Sequence, residues 1–256
     1  MTSMQQPIVP LVPPSATAAL SALARKAQGL SGADIEKLVK EARQKARHEQ
    51  RPLAYSDIES LVVRAKPSRS MASRLRMAIH EAGHAIARLL LGFGPIYEIT
   101  IEAPKGGYVS GSTGQDEVTE AWLTAVLIET LAGRAAEEVM LGSVSGNSGG
   151  LDYSDLASAT RLALDMETVL GFGGRWPLLY RKPKEVTATL ASDPEVAARV
   201  NIRLERAYEA ALVIVREQSQ ALDFLAEKVF EQFTLEGAEL DAVLGQVRKR
   251  FQERPG

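Results

Sequence analysis

The sequence predicts a mainly α protein built from two helical modules, the second of which also carries a small β-hairpin or sheet. Apolar residues recur at helical spacing along most of the chain, and clusters of glycine and proline interrupt them at intervals. Residues 96–102 instead alternate as a strand does and are rich in β-branched side chains. The length of 256 residues fits one large domain or two smaller ones.

The composition is that of an ordinary globular protein and excludes several classes of function. Hydrophobic residues make up 45% and charged residues 24% of the chain, and the net charge of −2 predicts no nucleic-acid partner. Cysteine is absent, so any metal site must use nitrogen and oxygen ligands. No apolar run is long enough to span a bilayer and no signal-peptide pattern is present, so the chain as given is expected to be cytoplasmic.

The predicted domain organisation has three parts. Residues 1–14 are uncharged and rich in proline, and they are expected to form a disordered lead-in. Residues 15–66 are expected to form a small helical module. A polar hinge at 66–70 then separates this module from a larger, mostly helical domain at 67–256.

Capping residues place the helices of the first module. A helix over 16–27 is expected to end at a glycine. Ser31 is expected to cap a second helix, with Asp34 as the acid of a capping box, and Ser56 to cap a third helix over 57–63.

The second module is predicted to begin with a helix that contains the stretch 77–91. A strand over 96–102 then turns at Gly106-Gly107 and returns over 108–110. Such a hairpin could bind an extended peptide along its edge, or it could be a packing sheet only. The remaining predicted elements are helices over 120–140, 155–170, 195–219 and 221–234, an irregular segment over 175–194, and a closing segment over 235–250.

The motif H-E-x-x-H at residues 80–84 is the main functional signal. On a helix, His80 and His84 lie on one face and can bind one metal ion, while Glu81 can take a proton from a water molecule at that metal. Aliphatic and alanine flanks indicate a buried helix, on which such polar side chains need partners. The motif predicts a zinc metallopeptidase.

A catalytic zinc site usually has three protein ligands, so one more is expected downstream. Asp155 is the best candidate, because it follows a glycine-rich loop and opens a helix. A carboxylate in a first helical turn is also favoured simply by the helix dipole. Glu137 and Glu138 are rival ligands, and Asp152 is a weaker one.

Three motifs in this order resemble one family, the FtsH-type AAA+ zinc metalloproteases. They are H-E-A-G-H-A from residue 80, L-A-G-R-A-A-E-E over 131–138 and D-L-A-S-A-T over 155–160. The segment from Gly29 also resembles the last helices of an AAA+ lid, which in this family directly precedes the peptidase domain. The resemblance covers most of residues 20–245, and it implies a lid-like bundle over 15–66 followed by a zinc peptidase domain over 67–256.

The resemblance also implies roles for single residues. His80, His84 and Asp155 match the family's zinc ligands, and Glu81 matches its catalytic glutamate. Glu137 and Glu138 match a family helix in which they could orient a ligand histidine. The implied substrates are unfolded polypeptides. The resemblance also implies that six copies of the protein form a ring that serves protein quality control.

The chain departs from the family in two respects. It contains no G-x-x-x-x-G-K-[ST] phosphate loop, so ATP is expected to act only through an ATPase domain that this chain does not include. It also has no candidate membrane segment, although the family is normally membrane-anchored. The simplest explanation is that this chain is the C-terminal part of a larger protein. The alternative is that it is a relative that naturally lacks the ATPase domain.

The expected activity is therefore that of a zinc metalloendopeptidase in which Glu81 is the general base. A non-catalytic oligomerisation or adaptor module that keeps the scaffold is a second hypothesis. A small lid that binds other proteins is a third hypothesis, but it accounts only for residues 15–65.

Overall fold

The computed structural model describes residues 19–21, 23–24, 26–27, 30–65, 69–103, 106–112, 117–146 and 149–252. It confirms the mainly α class, with one small antiparallel sheet. The helices are α1 (Gly32–His48), α2 (Tyr55–Ala65), α3 (Met71–Leu90), α4 (Glu120–Leu141), α5 (Asp155–Thr168), α6 (Val186–Ser192), α7 (Pro194–Glu217), α8 (Ser219–Gln232) and α9 (Gly237–Gln252). The strands are β1 (Ile96–Ala103), β2 (Gly106–Gly111) and β3 (Thr234–Glu236).

Contacts divide the chain into two compact units. The first contains the described residues up to Arg69 together with Glu102 and Ala103, and the second contains Ser70–Ile101 and the described residues from Gly106 onward. In the first unit, α1 and α2 pack through a small apolar core that includes Leu38, Ala42 and Leu61. The predicted lead-in at 1–14 lies outside the described residues. No helix in the described part of the chain is long and apolar enough to cross a membrane.

The helix caps of the first unit confirm one prediction and correct another. Ser31 caps α1, and Asp34 returns the hydrogen bond as the acid of a capping box. The prediction that Ser56 caps the next helix was wrong, because α2 already begins at Tyr55. There Asp57 accepts a hydrogen bond from the backbone N–H of Ala54 at 2.9 Å. The carboxylate of Asp57 thus accepts from the backbone just before the helix, as the acid of a capping box does.

In the second unit, α3 lies in the middle of the larger core and packs against α4 and α8. The small residues of α4 allow a close approach. A Cβ atom on Gly83 would lie 2.6 Å from the carbonyl oxygen of Ala132 and 2.6 Å from the Cβ of Ala136. The face of α3 that bears the histidines is therefore fixed tightly against α4.

The sheet has the strand order β2-β1-β3, so β1 is central and β2 and β3 are its edge strands. The predicted hairpin is confirmed, but Gly106 and Gly107 belong to β2 and do not form the turn. The sequence did not predict β3, which pairs antiparallel with β1 and sets Leu235 opposite Ile99. Both side chains are fully buried, which joins the sheet to the helical core.

Two segments to which the sequence assigned no helix contain one in the structure. The segment predicted to be irregular contains α6, a seven-residue helix that has no side-chain hydrogen bond at its N-cap. The closing segment over 235–250 is mainly α9. The helices predicted over 120–140 and 155–170 are confirmed as α4 and α5.

Candidate metal centre

Three side chains from two helices meet at the surface of the second unit. His80 and His84 lie one turn apart on α3, and Asp155 is the first residue of α5. Potential ligand atoms of the three residues all lie within 4.8 Å of one another. The structure thus brings together the two histidines and the preferred third ligand of the sequence prediction.

The distances between ligand atoms suit one small cation. The two Nε2 atoms are 3.1 Å apart, and Oδ2 of Asp155 lies 2.9 Å from Nε2 of His80 and 3.5 Å from Nε2 of His84. Ligands about 2 Å from a tetrahedral zinc ion are separated by roughly 3.3 Å. Two nitrogens and one carboxylate oxygen are also the donor set of many catalytic zinc sites. The residues present therefore fit zinc.

The other nitrogen of each imidazole is already engaged. Nδ1 of His80 is 2.8 Å from Oε1 of Glu137, and Nδ1 of His84 is 2.8 Å from the backbone carbonyl oxygen of Glu129. An N–H on each Nδ1 would donate to these oxygens and leave each Nε2 lone pair for a metal. The tautomer that a metal needs is the one that the surrounding groups favour.

Glu137 is fully buried and forms several bonds besides that with His80. Arg76 donates to it at 2.8 Å, and the backbone N–H of Ser145 donates at 2.7 Å. Burial raises the pKa of Glu137, but hydrogen bonds from its neighbours outweigh this effect and lower it to about 2. Glu137 is therefore an anion that lies on the Nδ1 side of His80, away from the Nε2 atoms.

The other sequence candidates lie elsewhere. Glu138 accepts a hydrogen bond from the hydroxyl of Tyr208 on α7, so its carboxylate is directed to α7 and not to the histidines. Asp152 is exposed in the loop before α5. His48, the third histidine of the chain, is at the end of α1 in the other unit.

Electrostatics link Asp155 to both histidines. Burial opposes its charge, but hydrogen bonds from the imidazoles hold the pKa of the Asp155 carboxyl well below its usual range. Burial likewise lowers the pKa of His84, while Asp155 outweighs it and raises that pKa to about 10. The site is thus anionic at Asp155 before any cation binds, and a divalent cation would replace a proton there.

Glu81 is buried between the metal-site histidines and the sheet, with 5% of its surface exposed. Burial raises the pKa of its carboxyl, and the neighbouring histidines act in the opposite direction. A Cβ on Gly107 would come within 2.3 Å of its Oε1 atom. The edge strand β2 therefore passes directly against this carboxylate.

Sequence reasoning missed several residues that form the site. Gly133 on α4 is one of them, because a Cβ there would lie 2.5 Å from Nε2 of His84 and 2.6 Å from Nε2 of His80. A glycine inside a long helix is unfavourable and was the available signal. Arg76, Ser145 and the carbonyl of Glu129 gave no signal, because their contacts depend on the packing of α3 against α4.

In comparisons with known proteins, the chain matches two family models. Residues 68–243 match the model of Peptidase family M41, and residues 18–60 match that of the AAA+ lid domain. The chain is 31% identical to the ATP-dependent zinc metalloprotease FtsH of Thermotoga maritima over 261 residues, which cover 91% of this chain and 42% of that protein.

Other relatives give the same picture. The FtsH of Synechococcus sp. is 31% identical over 90% of this chain and 40% of its own length. The FtsH of Neorickettsia risticii is 32% identical over 91% of this chain and 39% of its own length. The chain thus spans about two fifths of the length of the curated relatives it matches.

Proposed function

Because this chain belongs to Peptidase family M41, we propose that it is a zinc-dependent endopeptidase that hydrolyses peptide bonds of unfolded polypeptides. The proposal rests on the position of the Asp155 carboxylate beside the Nε2 atoms of both histidines. Glu81, which follows His80 in the sequence, is buried next to them. We propose His80, His84 and Asp155 as the zinc ligands. The names of the relatives, which describe zinc metalloproteases, support zinc as the metal.

The proposed chemistry divides between the metal and the protein. Zinc, when bound, would lower the pKa of a water molecule and polarise the carbonyl group of the substrate. Glu81 would take the proton of the attacking water and deliver it to the nitrogen of the leaving amine. Burial raises the pKa of Glu81, which makes its carboxylate a stronger proton acceptor than an exposed one.

Glu137 would orient the site without touching the substrate. Its carboxylate holds Nδ1 of His80 and is itself fixed by Arg76 and Ser145. Such outer partners fix the ring orientation and the tautomer of a ligand histidine. We propose no such role for Glu138, because its hydrogen bond to Tyr208 directs it elsewhere.

The outer edge of β2 would bind the substrate backbone. β2 is an edge strand of the sheet, and Gly107 near its start lies against Glu81. An extended peptide that pairs with this edge would pass close to the proposed zinc ligands.

For the chain as a whole we propose a lid-like module over 15–66 and a peptidase domain over 67–256. The change of compact unit after Arg69, apart from the short return at Glu102 and Ala103, and the separate family matches on each side support this division. From the family resemblance of the motifs we also propose a ring of six copies. The name of the relatives, which describes ATP-dependent proteases, supports the proposal that an ATPase domain feeds this ring. Sedimentation as a single chain at micromolar concentration would contradict the ring.

The proposed function is tested by measuring bound zinc per chain together with the cleavage of an unfolded protein such as casein. We expect one zinc per chain, and cleavage that a chelator abolishes and added zinc restores. Zinc without cleavage would favour the non-catalytic adaptor hypothesis. A chain without zinc would refute the metal site.

A further inference from the structure

Arg88 is a buried charge that the proposed chemistry does not use. It lies on α3 one turn beyond His84, on the same side of the helix, and only 7% of its surface is exposed. A buried guanidinium group is costly unless other groups compensate its charge. Its partners therefore indicate what it does.

The partners of Arg88 come from the end of β2 and from α4. Nη2 donates a hydrogen bond to the backbone carbonyl of Ser112 at 2.6 Å, and Nη1 lies 3.5 Å from the carboxylate of Glu129. The guanidinium carbon is 5.6 Å from the centre of the Phe93 ring. Nε has no hydrogen-bond partner within the described part of the chain. A buried guanidinium that is paired so incompletely contributes little to the stability of the fold. The hydrogen bond from Arg88 to Ser112 is therefore more informative about its role than its pairing with Glu129.

The outer strand meets α3 at two points. Gly107, near the start of β2, lies against Glu81, and a Cβ on Gly111, at its end, would lie 2.9 Å from Nε of Arg88. From Glu81 to Arg88 the helix rises about 10 Å, and from Gly107 to Gly111 a strand extends about 13 Å. The strand and the helix therefore run side by side over this length.

We infer that Arg88 is a positioning residue for substrate binding, which fixes the end of β2 so that the outer edge of the strand is held in line with Glu81. The inference rests on the proposed function, because it assumes that an extended peptide pairs with this edge. Arg88 would hold the strand through the carbonyl of Ser112 and through the close approach at Gly111. It would act on the affinity for the peptide and not on the chemical step.

A second route from Arg88 to the site has to be separated from the first. The backbone carbonyl of Glu129 accepts from Nδ1 of His84, while its side chain faces Arg88. Arg88 could therefore act on the metal site through Glu129. Glu129→Gln removes the charge of this partner but leaves its backbone carbonyl and the contact between Arg88 and Ser112 in place.

The test compares Arg88→Met, Arg88→Lys and Glu129→Gln with Arg206→Met, which replaces an exposed arginine on α7. Methionine keeps the length and packing of the side chain, so the fold is expected to survive. KM and kcat are measured with an extended fluorogenic peptide, together with bound zinc. The dissociation constant of the same peptide is measured in a Glu81→Gln background, which binds without cleaving. Hydrogen exchange of the amides over 106–112 reports on the strand itself.

Arg88→Met should raise KM and the dissociation constant about tenfold, the loss of one charged hydrogen bond. Exchange over 106–112 should become faster, while kcat and zinc content stay near those of the wild type. Arg88→Lys should restore part of the affinity, and Glu129→Gln and Arg206→Met should change it little.

Unchanged peptide affinity in Arg88→Met would overturn the inference. So would a loss of zinc, a fall in kcat alone, or an equal effect of Glu129→Gln, since each assigns Arg88 to the metal site. If the wild type binds peptide but does not cleave it, the proposed peptidase activity fails while the role of Arg88 is still decided by the dissociation constants. If Arg88→Met does not fold, Arg88→Lys and exchange over 106–112 decide the question. Absence of peptide binding in every variant would also overturn the inference.

Discussion

Oε1 of Glu137 lies 2.8 Å from Nδ1 of His80, on the side of the ring opposite to Asp155. The same carboxylate accepts from Arg76 on α3 and from the backbone of Ser145. One buried anion therefore connects three parts of the chain and sets the direction in which the Nε2 lone pair of His80 points.

Glu137→Gln should weaken zinc binding without removing a ligand. The amide is nearly the same size but is a poorer acceptor, so the ring loses part of its orientation and basicity, and zinc affinity should fall about 10- to 100-fold. Competition with a chelator of known affinity measures this change. Glu138→Gln is the matched control, because the adjacent carboxylate faces Tyr208. Equal losses in the two variants would contradict the orienting role of Glu137.

Gly133→Ala should exclude the metal while leaving the helix intact. The added Cβ would lie only 2.5 and 2.6 Å from the two Nε2 atoms, in the space beside them that a metal ion needs. Alanine is the better helix former by about 1 kcal/mol, so α4 itself should gain stability. We expect less than one zinc per chain, and little cleavage, in a folded protein. Gly245→Ala in α9 meets open space and should keep one zinc per chain. Full zinc content in Gly133→Ala would show that the imidazoles can move away.

Gly107→Ala should impair cleavage but not zinc binding. Its Cβ would come within 2.3 Å of Oε1 of Glu81 and would displace the carboxylate or the strand. Its phenotype should therefore match that of Glu81→Gln, which keeps the three proposed ligands and loses the base. Zinc analysis and casein cleavage measured on both variants provide the comparison. A fully active Gly107→Ala would place the proton acceptor elsewhere, and an inactive one without zinc would place the damage at the metal.

Much of this site could be predicted from sequence because its main residues follow from local rules. Helical spacing sets His80 and His84 on one face, and Asp155 follows a glycine-rich loop at the start of a helix. The groups that complete the site were not predictable in this way. The carbonyl of Glu129 and the space at Gly133 depend on how closely α4 approaches α3, which one sequence does not specify.

The errors in secondary structure have similar causes. β3 has only three residues, too few to show alternation, and it is a strand because β1 supplies its partner. α6 lacks a side-chain N-cap and has no buried residue, so neither a cap nor an apolar stripe identified it. At the start of α2, Asp57 was the informative residue, but its role depends on the contact with Ala54.

Asp57 also provides a test of pH dependence in the first unit. Hydrogen bonds from the guanidinium of Arg51, at 2.6 and 2.7 Å, and from the backbone of Ala54 hold the pKa of this buried carboxyl well below its usual range. A lowered pKa means that the folded state prefers the anion. Its contribution to stability is therefore complete above the unfolded value of about 3.9 and is lost as pH falls toward the folded value.

The free energy of unfolding of Asp57→Asn should thus differ most from that of the wild type above about pH 5. The difference should shrink steadily as pH falls below about 4, where the unfolded wild type takes up the proton first. Carbon-13 NMR of the carboxyl group measures the titration directly, and Arg51→Met should move its midpoint upward because the hydrogen bonds from the guanidinium are gone. A wild-type carboxyl that titrates near 3.9, or one that does not respond to Arg51→Met, would show that the pair does not stabilise the anion in solution.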